Sequence, residues 1–159
     1  MAPSITHRNL PQLLLKAREA LLSHFRGILT HFGLTEQQWR VLRSLNEHGE
    51  MEPNQLCQSC QILSPSMAGV LARMQSLGLI TRERAAHDHR RIIIGLTPYS
   101  RSLCDQIAPL IEAQYQRIED TIGRPLIDET YRQIDRLLSA PLDQVPGVAL
   151  PPLKDVNPA

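Results

Sequence analysis

The chain has 159 residues, 42% of them apolar and 21% charged, which is the size and make-up of one ordinary globular domain with a real core. Its net charge of +1 names no partner, and no apolar run approaches the roughly 18 residues of a membrane span. The N-terminus lacks an apolar signal stretch, and three cysteines (Cys57, Cys60, Cys104) make no disulfide framework, so a reducing, cytoplasmic setting is expected.

Residues 1–8 read as a short flexible arm. Then Leu10, Leu13, Leu14, Ala17, Leu21, Phe25, Ile28, Leu29 and Phe32 recur at three- and four-residue steps. That spacing predicts a long amphipathic helix, with Asn9 as N-cap and Gly33 at its end. Thr35 and Gln38 form a capping box for a second helix with Trp39, Leu42 and Leu45 on one face, stopped near Gly49. Pro53 suits the first turn of a short third helix. Ser64-Pro65 is read as a cap followed by proline at the first position of a fourth helix. That helix is expected to bury Met67, Val70, Leu71, Met74 and Leu77 and to end at Gly78.

The period then changes. Leu79 to Ala86 and Arg91 to Leu96 read as two strands, the second rich in Ile, around the polar turn His87-Asp88-His89-Arg90. Thr97-Pro98 caps a further helix, in which Pro109 is expected to bend the helix or end a segment. Gly123-Arg124-Pro125 breaks the chain before a last helix through Leu126, Tyr131, Ile134 and Leu138. From Pro141 onward lie 5 of the 12 prolines and little periodicity, read as a mostly disordered tail over 141–159.

Charge is unevenly placed along these elements. Of the 17 basic residues 15 are Arg, only Lys16 and Lys154 being Lys; Arg grips phosphates and carboxylates with a planar fork. Between Ser64 and Arg101 the net charge is +4, against −3 for the rest, an electrostatic footprint for a polyanion.

A short helix, a turn, a capped helix and a basic hairpin make a winged helix-turn-helix, over about residues 35–97. The second helix of such a pair enters the major groove of double-stranded DNA. Its exposed side carries Ser64, Ser66, Gly69 and Arg73. The hydroxyls, with free N–H groups at the helix start, suit phosphates, and Arg73 suits a phosphate or a guanine edge. Arg90 at the hairpin tip suits a narrow minor groove, with Asp88 expected to hold its guanidinium. Arg82, Arg84 and Arg91 suit neighbouring phosphates. The first helix and the last two, about 9–33 and 98–140, are too apolar to be covered by so small a DNA-binding unit. Pairing with a second copy covers them and suits a palindromic operator. The fold class expected is mainly α with a small β-hairpin wing, one domain over 9–140.

The runs LTEQQWRVLRSL, SPSMAGVLARMQSLGLI and HDHRRIIIGLT resemble the multiple-antibiotic-resistance regulator (MarR) family over about residues 10–140. The stretch LLLKAREALLSHFR before LTEQQWRVLR is similar to its homoprotocatechuate-operon repressor branch, which extends to hydroxynicotinate regulators. The resemblance implies a dimeric repressor released from DNA by a small aromatic acid of the 4-hydroxyphenylacetate, homoprotocatechuate or 6-hydroxynicotinate class. It places the effector between the dimer helices and the DNA-binding lobe. Family members that sense phenolic acids carry an Arg and a His six residues apart on the first helix, a spacing matched by Arg18 and His24. Trp39 suits stacking on an aromatic ring, Arg40 and Arg43 lie on the same element, and His7 approaches from the arm.

Other chemistry is weaker in the sequence. Cys57-Gln-Ser-Cys60 has CxxC spacing but neither a βαβ context nor a second pair, so buried small hydrophobes are the favoured reading. The alternative is a redox- or zinc-responsive regulator that uses this pair. His87 and His89 read as solvated turn residues. No nucleophile–base pair, glycine-rich phosphate loop or metal cluster points to an enzyme, and no cofactor is expected.

Overall fold

Helices start where the sequence supplies a partner for their free N–H groups. A computed structural model describes residues 5–152. Asn9 Oδ1 accepts the Gln12 N–H at 3.0 Å and opens α1 (Leu10–His31). Thr35 and Gln38 cap each other reciprocally, at 3.0 and 3.2 Å, and open α2 (Glu36–His48). The N–H of Glu52 donates to Gln55 Oε1 at 2.8 Å ahead of α3 (Pro53–Cys60).

α4 (Ser64–Ser76) departs from this pattern and from the expected cap. Its N-cap is Leu63, in extended backbone, and no side chain caps it. Ser64 and Pro65 both lie inside the first turn, closed by the Met67 N–H on the Leu63 carbonyl at 2.9 Å. The helix therefore starts one residue earlier than expected, and the Ser64 hydroxyl is not its cap. Gly78 (φ 68°), just past the end of α4, takes the left-handed conformation that side-chain-bearing residues resist.

The hairpin pairs β1 (Ile80–Arg84) with β2 (Ile92–Leu96) antiparallel, Ile80 opposite Leu96 and Arg84 opposite Ile92. Both strands are shorter than the sequence reading, because residues 85–91 form the turn that closes the tip. Gly95 sits where an added Cβ would meet Thr81 Oγ1 at 3.0 Å, a close approach only glycine permits without a shift. α5 (Pro98–Ile122) is capped by Thr97, whose Oγ1 accepts the Ser100 N–H at 3.1 Å. Pro109 lies inside α5 and does not end it. Leu103, Cys104 and Ile107 before it and Ile111 after it are all buried, so packing holds the helix across the lost hydrogen bond. α6 (Arg124–Leu138) and a 3₁₀ turn (Leu142–Gln144) follow.

The chain divides into two compact units, one ending at Arg117 and the other beginning at Ile118. The core of the first is built from Val41, Leu42, Leu56, Met67, Met74, Ile94 and Ile107. Only Phe25 and Leu29 of α1 are buried, leaving Leu10, Leu14, Leu15 and Leu21 exposed. In the second unit α6 buries no residue, and Leu126, Tyr131 and Leu138 are exposed. Among the described residues no helix is long and apolar enough to cross a membrane.

Candidate DNA interface and effector pocket

α2, α3 and α4 are packed through Leu42, Leu56, Met67 and Met74, which turns the opposite side of α4 outward. Ser64, Ser66, Gly69 and Arg73 are all exposed there. Ser66, Gly69, Val70 and Arg73 line a groove of about 440 Å³ whose other wall is the first turn of α2, with Thr35, Gln37 and Gln38. Gln37 was not singled out in the sequence, and Thr35 only as a helix cap, since their place beside α4 depends on how the two helices cross. With no side-chain cap, the N–H groups at the start of α4 remain available to an anion.

The wing carries Arg82 and Arg84 on β1, alternate residues that share one face of the hairpin, and both are exposed. Asp88 acts differently from expectation. Its Oδ1 accepts the backbone N–H of Arg90 at 3.0 Å, and its carbonyl accepts the N–H of Arg91 at 3.0 Å. Asp88 thus shapes the turn beneath Arg90 through the backbone, where a grip on its guanidinium was expected. Arg91 also differs: its Nε and Nη2 both donate to Glu52 Oε1, the Nε at 3.0 Å. That bond to the Glu52 carboxylate holds the Arg91 guanidinium pKa above its ordinary value.

The five candidate effector residues are not gathered into one pocket. Arg18 reaches across from α1 and pairs with Glu36 at the start of α2. That pair ties two helices together. Arg40 is half-buried: its Nη1 donates to the Cys60 carbonyl at 2.6 Å, its Nε lies 3.9 Å from the same Glu36, and that Nε has no hydrogen-bond partner. His24 on α1 and His7 before it are exposed.

Trp39 alone of the five lines the pocket of about 120 Å³ between α2 and α5, with Arg43, Asn46, Glu47, Cys104, Ala108, Ile111 and Glu112. Arg43 Nε donates to Glu47 Oε1 at 2.6 Å. That bond raises the guanidinium pKa, with a smaller contribution from the Tyr115 hydroxyl. Tyr115 packs on Phe25 with ring centroids 4.8 Å apart. Aromatic face, cation and phenol hydroxyl therefore occur together around Arg43. The sequence showed Arg43 only as a neighbour of Arg40; a three-residue step along the helix was the available signal.

Cys57, Cys60 and Cys104 are free thiols, the last two buried. Burial pushes the Cys60 and Cys104 thiols up, away from the reactive thiolate. Among the described residues no group of three His, Cys, Asp or Glu is placed to hold a metal.

Known proteins resemble the chain in this same region. A MarR-family model matches residues 32–91. The homoprotocatechuate degradative operon repressor of Escherichia coli is 41% identical over 113 residues, 71% of this chain and 76% of that protein. The crystal structure of transcriptional regulator PA4135 superposes with a TM-score of 0.80 at 40% identity, covering 83% of this chain and 97% of that one. NadR in complex with 4-hydroxyphenylacetate superposes with a TM-score of 0.74 at 32% identity, over 87% of this chain and 99% of that one.

Proposed function

Because the chain belongs to the MarR family of transcriptional regulators, we propose that it is a homodimeric repressor of aromatic-acid catabolic genes, released from a palindromic operator by a hydroxylated aromatic carboxylate. The observation that carries the DNA reading is the uncapped start of α4 beside a basic hairpin. Ser64, Ser66 and the open N–H groups take a phosphate, Gly69 lets the backbone approach, and Arg73 reaches a phosphate or a guanine edge. Arg90 enters the minor groove, while Arg82 and Arg84 neutralise phosphates on its flank. Dimerisation covers the exposed leucines of α1 and the apolar side of α6.

The effector reading rests on Trp39 and Arg43 in one pocket and on the relative that holds 4-hydroxyphenylacetate. An aromatic carboxylate stacks on Trp39 and pairs with Arg43, which then exchanges Glu47 for the ligand. Arg18, His24, Arg40 and His7 contribute from outside that pocket, Arg18 and Arg40 through Glu36. At about 120 Å³ the pocket is smaller than a typical ligand site. The ligand therefore favours a wider arrangement of α2 and α5, and that differential affinity shifts the dimer from the shape that fits DNA. A mobility-shift assay on the region upstream of the chain's own gene, with and without 4-hydroxyphenylacetate, tests both halves. Specific binding below about 1 µM is expected, against the weaker non-specific range, with release by the acid. Binding no tighter than to unrelated DNA refutes the repressor reading.

A further inference from the structure

Arg91 sits where the wing turn closes, and both its backbone groups serve that closure. Its N–H donates to the Asp88 carbonyl at 3.0 Å, and its carbonyl accepts the Ala85 N–H at 2.9 Å. Its side chain leaves the hairpin altogether and bonds to Glu52, 39 positions away, at the N-cap of α3. The residue beside Glu52 makes a second link to the same strand. Met51 and Ile94 exchange backbone hydrogen bonds, at 3.0 and 2.8 Å, outside the main hairpin pairing.

β2 and the residue just before it are thus fixed to the start of α3 at two points, by backbone at Ile94 and by an ion pair at Arg91. Beyond Arg91 the tip residues 86–90 are exposed. A guanidinium already matched by a carboxylate adds no net positive charge toward a phosphate.

We propose that Arg91 is a positioning residue: its pair with Glu52 sets where the wing tip stands relative to α4, so that Arg90 meets the minor groove while α4 occupies the major groove. This rests on the DNA-binding reading above. Two copies of the strut act in each dimer, so a modest loss per wing is squared in operator affinity.

The experiment compares wild type, Glu52→Gln, Arg91→Ala and the double variant. It reads operator affinity over a range of salt and amide hydrogen exchange of residues 84–92 in the free protein. Glu52→Gln keeps the backbone N–H that bonds Gln55 and removes only the charge. The strut requires Glu52→Gln to weaken operator binding by about 5-fold or more, the scale of one modest exposed pair lost twice. It requires Arg91→Ala to weaken binding similarly, with the double variant no worse than either single one, and faster exchange of the amides at positions 85 and 91, which close the turn, in all three. If Arg91 instead holds a phosphate, Glu52→Gln binds as tightly as wild type or tighter, and Arg91→Ala lowers the salt slope by about one per subunit; that result overturns the proposal. If wild type shows no specific binding, the repressor reading fails. Exchange then decides the strut alone, and unchanged protection in Glu52→Gln refutes it.

Discussion

Replacing Arg43 with Ala removes the one cation that lines the Trp39 pocket, and the cost to the effector can be worked from its surroundings. A charge-assisted hydrogen bond contributes about 1.5–3 kcal/mol. Arg43 is already bonded to Glu47 at 2.6 Å, so a ligand carboxylate gains only the difference between the two partners. A net loss of about 1.4 kcal/mol corresponds to a tenfold higher effector concentration for release. Removing the competitor acts in the opposite direction: Glu47→Gln should lower that concentration several-fold. Trp39 is the only tryptophan, so its fluorescence reports ligand binding without DNA. Titration of the free protein and of the operator complex with 4-hydroxyphenylacetate then gives two independent curves. Both should shift to the right for Arg43→Ala, with operator affinity in the absence of ligand preserved. If Arg43→Ala responds as wild type does while Arg18→Ala shifts, the carboxylate sits at Arg18 and the pocket assignment fails.

Other substitutions bear on the remaining parts of the site. Arg90→Ala should abolish specific binding while leaving the dimer intact by sedimentation, since a minor-groove arginine contributes about 1–3 kcal/mol in each half-site; unchanged affinity at matched salt would sink the wing assignment. Arg73→Ala should lower the slope of log affinity against log salt by about one per subunit if its partner is a phosphate, and a changed base preference at constant slope would assign it to a guanine edge. Cys57→Ser with Cys60→Ser should still bind operator and respond to effector, measured by the same shift assay. The raised Cys60 and Cys104 values also carry a sign. Native thiols hold their protons where unfolded ones have lost them, so stability falls as pH climbs beyond the ordinary thiol range, which denaturant melts across alkaline pH will record.

Legibility followed the distance between cause and effect along the chain. The Thr35–Gln38 box, the Asn9 cap and the Thr97 cap span three residues each, and local pattern was enough to find them. The hairpin was legible because the helical period stops at Gly78 and an Ile-rich run follows a polar turn, although that turn took up more residues than the pattern implied. The pairs that define the site's architecture were not visible. Arg18 with Glu36 and Arg91 with Glu52 are 18 and 39 residues apart, and any of several acids matched them equally on charge. Arg18 was singled out by its spacing to His24, yet the acid it pairs with stands on another helix. The Leu63 start of α4 was missed for a different reason. Ser-Pro is a strong cap signal, and only the Met67 to Leu63 bond shows that the turn closes one residue earlier.

That bare start has a consequence for any effort to make the protein sturdier. Leucine is among the poorest N-caps, and Leu63 is 80% exposed, so its side chain contributes little packing in return. Aspartate or serine at this position should raise the stability of the free protein by about 0.5–2 kcal/mol. The same change fills the N–H groups that DNA would otherwise occupy, and Leu63→Asp adds a negative charge against the phosphate as well. Selection for heat resistance alone would therefore find this position early and return a regulator that folds better and represses less.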